Sequence, residues 1–282
     1  MKTVNKVIGK VCKILARIFL YAWCLFSIFA LIWIIISSLK TNREFFSNMW
    51  GFFKSPQWVN YATVWSKQNL GINFVNSLIV VGISVIGILV LCTPAAYVLS
   101  RCQFKLAKPL TTLFTVGMGV PYQLMLVPLY FLLMQIGLDN THVGLILVYI
   151  AISLPFSIFL ELGFFRSLPS ALCEAAMVDG CGSFRTFFSV MLPLARGGIV
   201  TVAIFNFVSL WNEFLLSLTL ITDDALYTLP VGLYQMQTAM SYVGNWTALF
   251  AGVVIVIIPT LIIYIFLSRQ IIEGLTMGAV KE

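Results

Sequence analysis

Few side chains in this sequence can do chemistry, and most of them sit where chemistry is costly. Of 282 residues, 60% are hydrophobic and 10% charged, against about 25% charged in an ordinary soluble domain. Glu213 lies within a long apolar run, where a carboxylate must be paired or face a polar cavity. Ser209 precedes it by one helical turn and shares its face. With Asn212, this group can hydrogen-bond the hydroxyls of a solute crossing a membrane. It can equally serve as a structural bond between helices, or sit at the outer interface. Trp211 has the same two sides: a platform for a bound ring, or an interfacial anchor. Asn76 and Gln123 are polar positions in otherwise apolar helices and are expected to face the helix bundle, because lipid would leave them unsatisfied. Glu161, near Arg166, reads as a locally paired or snorkelling charge at a span end rather than a path residue.

Other chemistries are excluded by type and spacing. His142 is the sole histidine, and none of the six cysteines forms a Cys-x-x-Cys pair, so no metal site, zinc centre or redox centre is expected. No Gly-x-x-x-x-Gly-Lys-Ser/Thr loop occurs, so the chain is expected to bind no nucleotide and no other cofactor. It has no constellation for an intramembrane enzyme. Net charge is +7, but the basic residues occupy short gaps between apolar runs rather than a stripe that could bind nucleic acid. A chain driven by an ion gradient remains an alternative, with Glu213 as its only support.

The elements that must position these residues follow from length. A span needs about 20 mostly apolar residues, and six stretches qualify: 14–38, 73–100, 106–134, 143–165, 198–221 and 246–267. This predicts an all-α membrane protein with six transmembrane helices. Gly82, Gly87 and Gly117 would allow helices to approach closely. Thirteen of the 17 Lys and Arg residues fall in the N-terminal segment, the second and fourth gaps and the C-terminal segment; Lys40, Arg43, Lys54 and Lys67 fall on the other side. By the positive-inside rule both termini are cytoplasmic. The expected organisation is a cytoplasmic N-terminus (1–13), a transmembrane domain (14–268) and a cytoplasmic tail (269–282). The first outer loop, 40–72, carries the four exceptions. It is aromatic and amphipathic, as expected of a segment lying on the membrane surface.

The fourth gap, 166–197, is built differently. Pro169 suits a helix's first turn, and Leu168, Leu172, Ala175 and Ala176 recur on one face. Gly180 and Gly182 would end that helix, Ser183 would cap a second, and Pro193 would limit it before the fifth span. The outcome is a cytoplasmic helix–turn–helix whose alanine pair admits close approach of another surface, with Glu174 and Asp179 at its edge. A plain interfacial helix is the alternative, although anionic headgroups would repel two acidic residues.

Glu174-Ala175-Ala176, then Gly180, then Val190-x-Leu192-Pro193 resembles the EAA loop of ABC importer permeases in order and spacing. Asn76-Ser77, Trp211-Asn212-Glu213-Phe214, Thr228 to Leu233 and the tail Gly274 to Lys281 are similar to the MalG-type branch of carbohydrate permeases. The chain departs from that pattern at Cys173, Gly197 and Glu282. The resemblance implies a multi-pass permease of the bacterial inner membrane for a sugar or oligosaccharide, forming half of a translocation path. Its implied partners are a second homologous permease, two ATPase subunits that use ATP and Mg, and an extracytoplasmic sugar-binding protein. It also implies that Glu174, Ala175, Ala176, Asp179, Gly180, Leu192 and Pro193 form a coupling element set against the ATPase. Gly274, Thr276, Gly278, Ala279 and Lys281 would form a tail contact between ATPase subunits. Asn76, Gln123, Trp211, Asn212 and Glu213 would line the path.

Overall fold

The computed structural model describes residues 2–279, with side chains described for 12–239, 244–268 and 270. Among the described residues every regular element is a helix. The chain divides into two compact units, residues 1–70 with 235–255 and residues 71–234 with 256–282.

In the first unit, α1 (Lys2–Ser38) runs unbroken. Its stretch Cys12–Ser38 is long and apolar enough to cross a membrane. α2 (Asn42–Ser47) follows at once. It starts with a capping box: the Thr41 hydroxyl accepts the Glu44 amide, and the Glu44 carboxylate accepts the Thr41 amide, which satisfies two otherwise orphaned donors. α3 (Val59–Ala62) runs on into a π-helical turn, Thr63–Lys67. Asn60 ties this segment back by donating to the carbonyls of Ser38 and Lys40.

The second unit is organised on α4 (Leu70–Arg101) and α7 (His142–Ser167), both unbroken spans. Gly87 of α4 lies against Ile150 of α7, and a Cβ there would come within 2.6 Å of the Ile150 side chain. Gly117 meets the Pro155 ring in ordinary contact, whereas a Cβ on Gly82 would meet nothing within 4 Å. The close approach expected at Gly82 is therefore absent. Further along α7, Gly198 admits the Phe164 ring, and Asn206 donates to the Ser157 hydroxyl at 2.8 Å.

Two of the six expected spans are not single rods. The third is α5 (Ala107–Gly117), a 3-10 turn at Tyr122–Met125 and α6 (Leu126–Gln135), with an 89° bend between the halves. Gly117, Gly119 and Pro121 account for the break, because two residues without side-chain restraint precede one without an amide hydrogen. The helix–turn–helix of the fourth gap comprises α8 (Ala171–Val178) and then α9 (Ser183–Thr186), a π turn and α10 (Leu192–Leu194). It bends by 71° into α11 (Arg196–Trp211). The fifth span then breaks at 212–214 before α12 (Leu215–Leu220). Pro193 lies in the first turn of α10, so the bend falls just after it. α13 (Leu229–Val243) and α14 (Trp246–Ala279) complete the chain.

Candidate functional site

The helix–turn–helix is closed by backbone geometry. Gly180 has φ +76°, a left-handed conformation that only glycine adopts without penalty. Its amide donates to Met177 at 3.0 Å, and the Cys181 amide donates to Ala176 at 2.9 Å. These are the two bonds of a Schellman stop, which fixes the exit direction of the chain. Gly182 rather than Ser183 holds the next N-cap position, in extended conformation and without a side-chain cap. Ser170 stands at the cap of α8, so Pro169 precedes the helix rather than lying in its first turn. The expected roles of Ser183 and Pro169 are thereby corrected.

The alanine pair splits. Ala176 is buried with the Leu172–Cys173 side of α8, and the Cys173 thiol lies 3.5 Å from the Met191 sulfur. Ala175 is exposed beside Glu174, Met177 and Asp179. The outward face also carries Val178, Phe184 and Phe188, with Val178 at 87% and Phe184 at 84% exposure. Leu192 is half-buried and Pro193 exposed. Beneath this surface Phe187 packs on Tyr97 of α4, which in turn packs on Phe165 of α7. Arg101, at the end of α4, donates to the carbonyls of Phe165 and Leu168 at the end of α7. A cation at a helix C-terminus satisfies orphaned carbonyls and the helix dipole together. Arg101 thus anchors the base of the element to two spans. Charge counting alone registers Arg101 only as a loop cation.

The intramembrane residues scatter more than the sequence suggested. Asn212 and Glu213 line a cavity of about 620 Å³ with Ser209, Ser153, Tyr122, Phe156 and Phe205. None of its lining residues is lysine, arginine or histidine. The Glu213 carboxylate accepts the Tyr149 hydroxyl at 2.7 Å and the amides of Leu216 and Ser217 at 2.7 and 3.1 Å. It caps the short helix α12, which explains why the fifth span breaks there. Trp211 is fully buried; its indole donates to the Val256 carbonyl and stacks on Phe207. It therefore lies away from the cavity and offers no ring platform within it. Asn76 donates to the carbonyls of Ala225 and Tyr227, holding a loop rather than facing the cavity. Gln123 is exposed on the 3-10 turn next to Tyr122. Glu161 is buried and accepts the Thr93 hydroxyl at 3.0 Å from α4. The expected local pairing with Arg166 gives way to a bond between spans. The tail residues Gly274, Thr276, Gly278, Ala279 and Lys281 lie outside the residues whose side chains are described.

Sequence reasoning missed Ser153, Phe156, Phe205 and Tyr122. They come from three separated helical segments, and the break after Gly117 that delivers Tyr122 was legible only as a Gly/Pro cluster.

Comparison with known proteins places this geometry. The family described as binding-protein-dependent transport system inner membrane component matches residues 92–272. The diacetylchitobiose uptake system permease protein NgcG of Streptomyces coelicolor is 39% identical over 93% of this chain and 87% of the relative. The melibiose/raffinose/stachyose import permease protein MelC of Bacillus subtilis is 30% identical over 88% of this chain and 89% of its own. A chain in the crystal structure of a bacterial ABC transporter involved in the import of the acidic polysaccharide alginate shares the fold, with a TM-score of 0.81 and 19% identity over 92% of this chain and 96% of that one. The apolar spans, the bent fifth helix and the helix–turn–helix before it are those of a multi-pass membrane protein, and the chain belongs to the family of inner membrane components of binding-protein-dependent transport systems.

Proposed function

We propose that this chain is one permease of an ATP-driven importer for a sugar or oligosaccharide, with both termini in the cytoplasm. It pairs with a second, homologous permease above two ATPase subunits, and an extracytoplasmic sugar-binding protein delivers the solute. ATP and Mg are used by the ATPase subunits, and this chain contributes no catalytic group. The observation that carries this reading is the surface of residues 171–188. It exposes Met177, Val178, Phe184 and Phe188 around Glu174 and Asp179, on a base tied to two spans through Arg101. An apolar centre with a charged rim is the anatomy of a protein interface. Motion of a docked ATPase reaches the spans through that base.

The cavity beside Asn212 forms this chain's part of the path. Phe156 and Phe205 offer apolar ring faces, and Ser153, Ser209 and Asn212 offer hydroxyl and amide groups. That combination suits a saccharide, whose ring faces are apolar and whose rim carries hydroxyls. Glu213 holds the wall in shape by capping α12, which leaves the ion-gradient alternative without its carboxylate.

The test is co-purification of the chain, in detergent, with the ATPase subunits and the second permease. Glu174→Lys is expected to insert normally, lose at least tenfold in ATPase retention, about 1.4 kcal/mol, and abolish ATP-driven uptake. Unchanged retention and uptake would remove the coupling assignment.

A further inference from the structure

Charge in the second unit is sorted along its spans. Up to Tyr234, its Lys and Arg residues are Arg101, Lys105, Lys108, Arg166, Arg185 and Arg196. They lie at the end of α4, around the start of α5, at the end of α7 and from α9 to the start of α11. All of these places are at the end of the bundle that carries the helix–turn–helix. Between 109 and 165, and again between 197 and 268, the sequence has no Lys or Arg. Those two stretches supply every residue that lines the cavity beside Asn212. At 1.5 Å per residue, Arg166 stands about 20 Å along α7 from Ser153, and Arg196 about 20 Å along α11 from Ser209.

Among the described residues of that lining, Glu213 alone has a charged side chain. Its partners leave the charge in place. One carboxylate oxygen accepts the Leu216 amide, and the other accepts the Tyr149 hydroxyl and the Ser217 amide. A carboxylate takes donors on both oxygens in this way. The three donors are neutral groups, so they spread the charge without cancelling it. The outer end of the unit has the same sign. Asp223 and Asp224 are exposed after α12, and Asp139 is half-buried before α7. His142, the single histidine, has its Nε2 on the Leu226 carbonyl. A cleft lined by one sign of charge, with walls of low dielectric, focuses its field, and charges of one sign along a path decide which charged solutes pass.

We infer that Glu213 is a specificity-determining residue, whose standing negative charge admits uncharged or basic saccharides to the cavity and turns away uronic, sulfated and phosphorylated ones. An acidic solute would meet a like charge there, with no cation of this chain to pair with. The inference rests on the cavity being this chain's part of the path. Capping fixes α12, and the charge left over sorts solutes.

The experiment uses the full chain in its assembled transporter, purified in detergent, with Ser209→Cys as a reporter in the cavity. Three methanethiosulfonates of similar size are applied: a trimethylammonium, a sulfonate and an uncharged one. Each labelling rate, net of the protein without the reporter, is divided by the rate of the same reagent with a small free thiol in water. The reporter thiol is common to all three, so its own reactivity cancels and the comparison reads the field. The cation is expected to outpace the anion by about tenfold or more, and by less at high salt. Glu213→Gln should bring that ratio toward one. Asn212→Lys should do the same with Glu213 and its cap retained, which keeps the test decisive if Glu213→Gln fails to assemble. Equal rates for cation and anion, or a ratio that neither substitution changes, would overturn the charge assignment while the path reading stands. No reaction even with the uncharged reagent would show a cavity closed to solutes and overturn both.

Discussion

The helix–turn–helix at 171–195 and the segment at 40–67 both depart from simple spanning helices, and both expose large apolar side chains. They differ in what they do with polarity. In the first, Glu174, Asp179 and Arg185 stay exposed around Val178 and Phe184. Its helix end is closed by local backbone bonds alone. In the second, Lys40 is drawn inside onto two carbonyls while Arg43 and Lys54 stay exposed, and Trp50 and Phe52 stand outermost. A protein partner supplies hydrogen bonds at a rim, so a rim can stay polar. In the segment at 40–67, Lys40 and Trp33 instead satisfy the carbonyls of Asn48 and Met49 from within the chain. Exposed apolar area alone does not distinguish these surfaces; the inward turn of Lys40 does.

The largest effect that would break the comparison comes from a charge at the centre of the first surface. Val178→Asp puts a carboxylate where a partner would desolvate it, at a position that touches little of its own chain. Thermal stability of the isolated chain should be unchanged, while ATPase retention falls by about 2 kcal/mol or more, roughly thirtyfold. Equal retention, read by co-purification, would make this face a bystander. The same change at Phe52 should instead impair membrane insertion and leave ATPase retention intact.

Gly180→Val is next. A Cβ at this position meets nothing within 4 Å, but φ is +76°, so the penalty is backbone strain rather than crowding. A left-handed residue with a branched side chain costs about 1–2 kcal/mol or more. Relaxing that strain would redirect the chain after α8. Uptake should fall while ATP hydrolysis continues, an uncoupling read as the ratio of ATP consumed to solute moved. A preserved ratio would mean that the turn's direction is immaterial.

How much of this was legible beforehand follows the same division. Spans announce themselves through run length, and α4, α7 and the apolar part of α14 lie close to their expected ranges. The motif Glu174-Ala175-Ala176 with Gly180 also announced itself, because a glycine stop is a local signal. Ala176 shows the limit: one residue along a helix rotates a side chain by about 100°, which turns a neighbour of Ala175 inward onto the Met191 side. Glu213 shows another. Its bonds run to Tyr149, 64 residues away, and to amides that exist as donors only because the span breaks there. Such a partner set is created by the fold and has no spacing to read. Lys40 counted as a misplaced positive charge under the inside rule, yet it acts as a cap for carbonyls eight and nine residues ahead. Its burial draws the ammonium below its usual range, partly opposed by Glu44.

Lys40→Met sharpens the second half of the comparison. It keeps the volume of the stem and removes both donors, leaving the Asn48 carbonyl without that partner. Each buried polar group so orphaned costs about 1–3 kcal/mol. The turn should lift off α1, exposing Trp50 to iodide and lowering the thermal midpoint of the complex. Because the Trp33 indole still reaches Met49, the loss should be smaller than that of removing both carbonyl partners. A Trp50 signal indistinguishable from wild type would show that the seal is dispensable.

The smallest expected effect is a pH dependence of the same segment. The Thr41 amide holds the Glu44 carboxyl below its usual range. The Lys54 amide, the Thr41 hydroxyl and the Lys54 charge add to this, against a smaller opposing effect of burial. A carboxyl with a depressed folded-state pKa stabilises the fold fully above its unfolded value, near 4.5, and that contribution is lost as pH falls through the lower folded-state value. Glu44 is the only aspartate or glutamate between residues 40 and 72, so the change belongs to it. Trp50 emission should therefore be flat from neutral pH down to about pH 5 and shift toward that of a water-exposed indole on further acidification. Glu44→Gln retains a side-chain acceptor for the Thr41 amide, since glutamine also completes a capping box, but it has no proton to gain. Its emission should stay flat through the acid range. If both proteins shift together, the acid response lies elsewhere in the chain, and the capping box is only a helix start rather than part of what holds the Trp50 turn on α1.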